Sequence, residues 1–197
     1  MTMIDEEFRY GLTETHEIIE SLKKYTIKNI VRAYNRLILD DWKKDRTHIP
    51  INKYFNQLPG VILIHLDNDD IIGFSGESIK DSVVAWFDTK NGVHDYTTYY
   101  DREFFNFMQY DDPVYAEKDD WSDFVGQRVT NIQVLKVDQN EKQWMNDSLQ
   151  RGIILETSKG NMLISYCLEI PNGGVLSLNK KSDITDEIWG CTEVIQL

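Results

Sequence analysis

Basic residues are scarce in this chain: 21 lysines and arginines stand against 33 aspartates and glutamates, a formal net charge of −12. A surface this acidic repels phosphate backbones, which argues against direct nucleic-acid binding. Cysteine is nearly missing. The two thiols, Cys167 and Cys191, are too few for a disulfide framework, and no His or Cys pair has the spacing of a zinc site. They read as free, buried thiols. Only 4 prolines and 11 glycines occur, so the chain is neither low-complexity nor disordered in composition. No apolar run approaches the length needed to cross a bilayer, so no membrane partner is expected. The opening MTMIDEEFRYG is acidic and has no apolar signal-peptide core, which points to the cytoplasm. A Gly-rich phosphate loop and a dinucleotide fingerprint are both missing, and no cofactor is expected.

What is present is ample material for a core. Of 197 residues, 41% are hydrophobic and 12% aromatic, enough for one or two domains. Between Leu12 and Ile49 there is neither Gly nor Pro, and Ile18, Ile19, Leu22, Ile30, Val31, Tyr34, Leu37 and Ile38 recur at helical spacing. With Thr13 as N-cap and Glu14 and Glu17 in the first turn, the pattern predicts one long amphipathic helix over Thr13 to Trp42. After Pro59 the period changes to two. VILIHL, IIGF and SVVAWF read as strands, and Asn91-Gly92 as a tight hairpin. Asp101 and Glu103 are placed to open a short helix carrying Phe104, Phe105 and Met108. The predicted class is therefore α+β: a long N-terminal helix packed on mainly antiparallel sheet, with a C-terminal β-rich module. Residues 1–115 would hold the helix and hairpins and residues 120–197 the module, as separate units or around one continuous core.

The stretch GVILIHLDNDDIIGFS offers the first candidate site. An EF-hand loop needs ligands at alternate positions, a Gly sixth and a Glu twelfth. Counting from Asp67 or from Asp69 brings Ile71 or Ile72 into the ligand series, so the loop reads as an acidic turn. A non-standard metal site could use Asp67, Asp69 and Asp70; the enzymatic alternative is a metal-dependent or small-molecule enzyme assembled from distant residues, with Asp67, Asp69, His65 and His94 as first candidates. GFSGES only superficially resembles a serine elbow around Ser75, and Cys191 precedes an apolar strand where an inert thiol is the ordinary case. Laid over each other without gaps, Gly60 onward and Gly152 onward show a faint echo, in which the second turn, TSKGN, has no carboxylate pair.

The most distinctive stretch is Asp95 to Asp123. Nine carboxylates face two basic residues there, a local −7, and nine aromatic residues are interleaved. Carboxylates among Tyr and Trp suit an interface that meets a basic protein surface. The candidate contact residues are Tyr99, Tyr100, Asp101, Glu103, Asp111, Asp112, Tyr115, Glu117, Asp119, Asp120 and Trp121. The competing reading is a solvated connector whose aromatics turn inward.

FVGQRVTNIQVL, RGIILETSKGNMLISY and DEIWGCTEVIQL together resemble a small β-rich module found among immunity proteins of bacterial polymorphic toxin systems. The features that match are Gly126 before a strand, the Gly152-led strand, the Lys159-Gly160 turn and Asp186-Glu187 ahead of the closing strand. That resemblance covers about residues 121–197. It implies a non-enzymatic binding protein that neutralises a toxin, with no catalytic residues to transfer; the acidic span adds the expectation of a basic, nucleic-acid-handling partner. A structural assembly subunit using the predicted helix as its contact is the third possibility.

Overall fold

In the computed structural model, which describes residues 10–77, 82–94, 104–117, 119–137, 149–166, 168, 176–190 and 192–197, the span expected to be one helix is three elements. After a two-residue strand, β1 (Tyr10–Gly11), come α1 (His16–Lys24), strand β2 (Ile27–Asn35) and α2 (Arg36–Asp45). There is no long N-terminal helix. The cause lies in β2. Opposite β3 (Val61–Leu66), Ile27 faces Leu66 and Asn29 faces His65, so Lys28 is the extra residue of a β-bulge. The bulge puts Ile27 on the same side as Ile30 and Tyr34, while Val31 and Ala33 serve the other face. Ile27, Ile30, Val31 and Tyr34 thereby acquire the i, i+3, i+4, i+7 spacing of a helix inside a strand. What marks the strand is burial without a polar side: every residue from Ile30 to Tyr34 is buried.

The fold is mainly β, in two antiparallel sheets. The first has seven strands in the order β1-β5-β4-β3-β2-β7, with β6 joined to β5. Its further members are β4 (Ile71–Glu77), β5 (Ser82–Lys90), β6 (Val93–His94) and β7 (Phe105–Gln109). The short helix expected around Phe105 and Met108 is therefore strand β7. Its predicted opening residues, Asp101 and Glu103, lie outside the described residues. The second sheet has five strands in the order β11-β10-β9-β8-β12. These are β8 (Asn131–Val137), β9 (Gln150–Glu156), β10 (Asn161–Tyr166), β11 (Leu176–Asn179) and β12 (Thr192–Gln196). Two further short helices are α3 (Tyr54–Gln57) and α4 (Asp186–Gly190). No helix among the described residues is long and apolar enough to cross a membrane.

One apolar core lies between the sheets. Ile30, Ile62, Ile64, Ile72, Phe74 and Val83 of the first meet Ile132, Val134, Ile153, Leu155, Ile164 and Leu178 of the second. Ile18, Ile19 and Leu22 of α1 and Phe55 of α3 join the same cluster. The outer face of the second sheet, with Leu135, Ile154 and Leu163, packs on Ile184 and Trp189. Turn chemistry agrees with the sequence: Asn91 and Gly92 have φ of 53° and 75°, the two left-handed residues of a type I′ turn. GFSGE is the C-terminal part of β4, with Ser75 donating to the Gly76 carbonyl rather than standing on an elbow. The two-hairpin echo is not structural. An overlay that sets Gly60 on Gly152 sets Leu66, a strand residue, inside the second turn at Ser158.

A polar tie closes the second sheet at its β9 end. Glu156 accepts from Lys181 at 2.7 Å and from Asn131 at 2.8 Å. These bonds hold its carboxyl below the usual range. A depressed folded value contributes stability above the unfolded value, and that contribution fades as pH falls through the folded one. Glu156→Gln is expected to cost under about 1 kcal/mol at pH 7, because the pair is partly exposed, and almost nothing at pH 3. Urea midpoints at the two pH values check this; an equal loss at both would contradict it.

Candidate functional site

Among its described residues the segment between β7 and β8 contains no strand. It is a run of turns, which we call the connector. Backbone bonds fix it along its length: Tyr110 N–H to the Ile30 carbonyl at 3.0 Å, Phe55 N–H to the Tyr115 carbonyl at 2.8 Å, and Gly126 N–H to the Ile27 carbonyl at 2.7 Å. Asp112 closes its first turn by accepting the Val114 and Tyr115 amides at 2.9 and 3.0 Å. That is the local bonding for which Asp is favoured in turns. Tyr115 stacks on Tyr54, 6.1 Å between centroids. Lys43 donates to the Tyr115 hydroxyl at 3.2 Å, and that bond holds its ammonium above the ordinary lysine value.

At the centre of the connector Asp120 and Trp121 turn inward together. Trp121 is 2% exposed and donates from Nε1 to Asn56 Oδ1 at 2.8 Å. Asp120 Oδ2 accepts from Asn56 Nδ2 at 2.9 Å and from Lys53 at 3.0 Å, and its other oxygen lies 3.8 Å from Lys180. Lys53 also pairs with Glu117. Desolvation pulls its ammonium down, but the bonds to Glu117 and Asp120 outweigh it and leave Lys53 above its ordinary value. Beneath this lies Arg32, fully buried on β2. Its Nε donates to the Phe55 carbonyl, and its Nη1 to the carbonyls of Leu58 and, at 3.0 Å, of Leu176. Nη2 reaches the Asn56 carbonyl at 3.1 Å. Burial pushes this guanidinium down to about 9, and its four carbonyl acceptors favour the charged form.

The expected contact residues thus separate into groups. Asp111, Glu117 and Asp119 are exposed, as is Asp123. Asp111, Asp119 and Asp123 have no ion-pair partner among the described residues. Asp112 and Asp120 are turned to internal bonds, and Tyr115 is half-buried. Trp121 belongs to the core and cannot touch a partner. Tyr99, Tyr100, Asp101 and Glu103 lie outside the described residues. A small cleft of about 160 Å³ opens beside the exposed group, lined by Asp119, Asp123, Phe124, Lys159, Asn161 and Lys180.

Comparison with family models, with curated proteins and with solved structures finds no match.

The alternative candidates are spread out. Asp67 accepts the Thr26 amide at 3.1 Å, Asp69 pairs with Lys28 at 3.3 Å, and buried Asp70 bonds Asn68 and the Asn91 amide at 2.7 Å each. Asp70 thereby ties the β3–β4 turn to the β5–β6 turn. His65, Asp69 and Asp70 do line a second cleft with Lys28 and Asn29, of about 380 Å³. His94 is elsewhere, with Nδ1 2.9 Å from the Asp88 carbonyl. The register runs His65, Ile71, Thr89, His94, so three strand spacings, roughly 14 Å, separate the histidines. Among the described residues no group of three or more His, Cys, Asp or Glu is placed to hold a metal ion. Cys167 and Cys191 lie outside the described residues. Sequence reasoning missed Arg32, Lys53, Asn56 and Lys180. Each reaches the connector or its support from at least 24 positions away along the chain, and no local pattern signals such a pairing.

Proposed function

We propose that this chain is a non-enzymatic acidic binding protein that captures the basic surface of another protein, as an inhibitor or immunity protein does. The observation that carries the reading is the division of labour in the connector. Asp112, Asp120 and Trp121 hold its shape, and Asp111, Asp119 and Asp123 face solvent on that fixed backbone with no ion pair among the described residues. Carboxylates held in place by a rigid segment attract a cationic surface without ordering cost at the moment of binding. Glu117 extends the acidic face but shares its charge with Lys53.

Titration calorimetry with a deca-arginine peptide tests this. Asp111→Asn/Asp119→Asn/Asp123→Asn together are expected to weaken binding by about tenfold or more at low salt. Asp40→Asn/Asp41→Asn/Asp45→Asn on α2 change net charge equally and are expected to weaken it far less. Equal losses in the two triple variants would leave only the overall charge of the chain and remove the connector from the account.

A further inference from the structure

We propose that Asn56 is the positioning residue of the connector: its side-chain amide sets how the exposed carboxylates are presented, and so how tightly a cationic partner is held. The second clause rests on the capture reading above; the first stands on geometry. Asn56 makes three bonds to two parts of the molecule, strand β2 and the connector. Its carbonyl accepts from Arg32, its Nδ2 donates to Asp120 at 2.9 Å, and its Oδ1 accepts from Trp121 at 2.8 Å. An indole N–H can only donate and an ionised carboxylate can only accept, so the two neighbours leave the amide one orientation.

Asp120 and Trp121 are consecutive, and one amide therefore pins two successive residues of the connector. Asp119 precedes the pinned pair by one position and Asp123 follows it by two, and both are exposed. The anchor is itself immobile. Arg32, which holds the Asn56 backbone, is fully buried and also grips the Leu176 carbonyl of the second sheet. Lys53 does not duplicate the arrangement, because it is shared between Glu117 and Asp120 and makes no bond to Trp121.

Asn56→Asp tests the proposal. It keeps an acceptor for Trp121 but sets a second carboxylate against Asp120. Amide hydrogen exchange across residues 111–125 is expected to quicken by about tenfold, and deca-arginine affinity to fall by about fivefold. The sign is diagnostic. The variant is more negative than the wild type, so charge alone would tighten binding to the peptide. Asn56→Asp/Asp120→Asn exchanges amide and carboxylate, and is expected to restore slow exchange and most of the affinity. Unchanged exchange in the single variant, or a double variant no slower than the single, overturns the proposal. Should the single variant fail to fold, recovery in the double variant still decides it. A wild-type protein that does not bind deca-arginine would sink the capture reading, while the exchange comparison continues to decide the role of Asn56.

Discussion

Arg32→Met is expected to lower folding stability by about 4 kcal/mol or more, enough to leave a marginal protein. Methionine fills nearly the same volume, so packing is not the issue. What is lost is the donor set for three buried carbonyls, those of Phe55, Leu58 and Leu176, and a partly buried one, that of Asn56. A buried acceptor left without a donor costs about 1–3 kcal/mol. Removing a desolvated charge returns part of this, which is why the net figure lies below the sum. Arg32→Lys is expected to lose about half as much, because a compact ammonium cannot reach acceptors arranged around a planar fork. Urea unfolding followed by tryptophan fluorescence measures both; a wild-type midpoint for Arg32→Met would refute the account. The pH dependence has a definite sign. Burial lowers the folded value to about 9, well below the ordinary arginine value, so between the two the unfolded chain binds the extra proton. Stability linked to this group therefore rises with pH above about 9 and is flat through the neutral range. The difference between wild type and Arg32→Met should not change from pH 6 to pH 8.

Gly76→Ala is the second large effect expected, about 3 kcal/mol of destabilisation. Gly76 sits in β4 on the face toward the second sheet, and a Cβ there would overlap the Tyr166 ring. Tyr166 is 7% exposed and belongs to the shared core, so the ring cannot step aside cheaply. On the opposite face of the same strand Gly73 also lies too close under Trp86 to admit a Cβ. The two glycines are seats for aromatic rings, one on each side of β4. The control is Gly76→Ala/Tyr166→Leu, where the obstructing ring is gone. Thermal unfolding of both single variants and the double should show the double losing clearly less than the two singles combined. Additive losses would mean that the ring and the strand do not meet as described.

Much of the candidate site was legible as composition and little of it as geometry. The acidic excess between Asp95 and Asp123 is a property of the letters, and Asp111, Asp119 and Asp123 are exposed as an acidic run ordinarily is. Trp121, two residues from Asp123, has the letter of an interface residue and the burial of a core one. Its direction is decided by Asn56, which is 65 positions away along the chain. Asp112 braces its own turn through amides two and three residues on, a local bond, whereas Asp120 looks like surface charge and acts as a brace only because Lys53 and Asn56, over 60 positions away, meet it in the folded chain.

By itself the sequence determined the turns and the alternation: Asn91-Gly92 as a hairpin, the acidic LDNDD turn, and most of the apolar strands other than β2 and β7. Those depend on a residue's own backbone preference and on neighbours two positions away, which the sequence contains in full. Only the tertiary structure decided β2. Its bulge at Lys28 gives a strand the apolar spacing of a helix, and Arg32, on the polar side of that imagined helix, is instead the buried clamp between the two sheets. The choice went to the strand because β3 on one side and β7 on the other supply backbone partners and apolar cover. Both arrive from more than 25 residues downstream, beyond the reach of any local pattern.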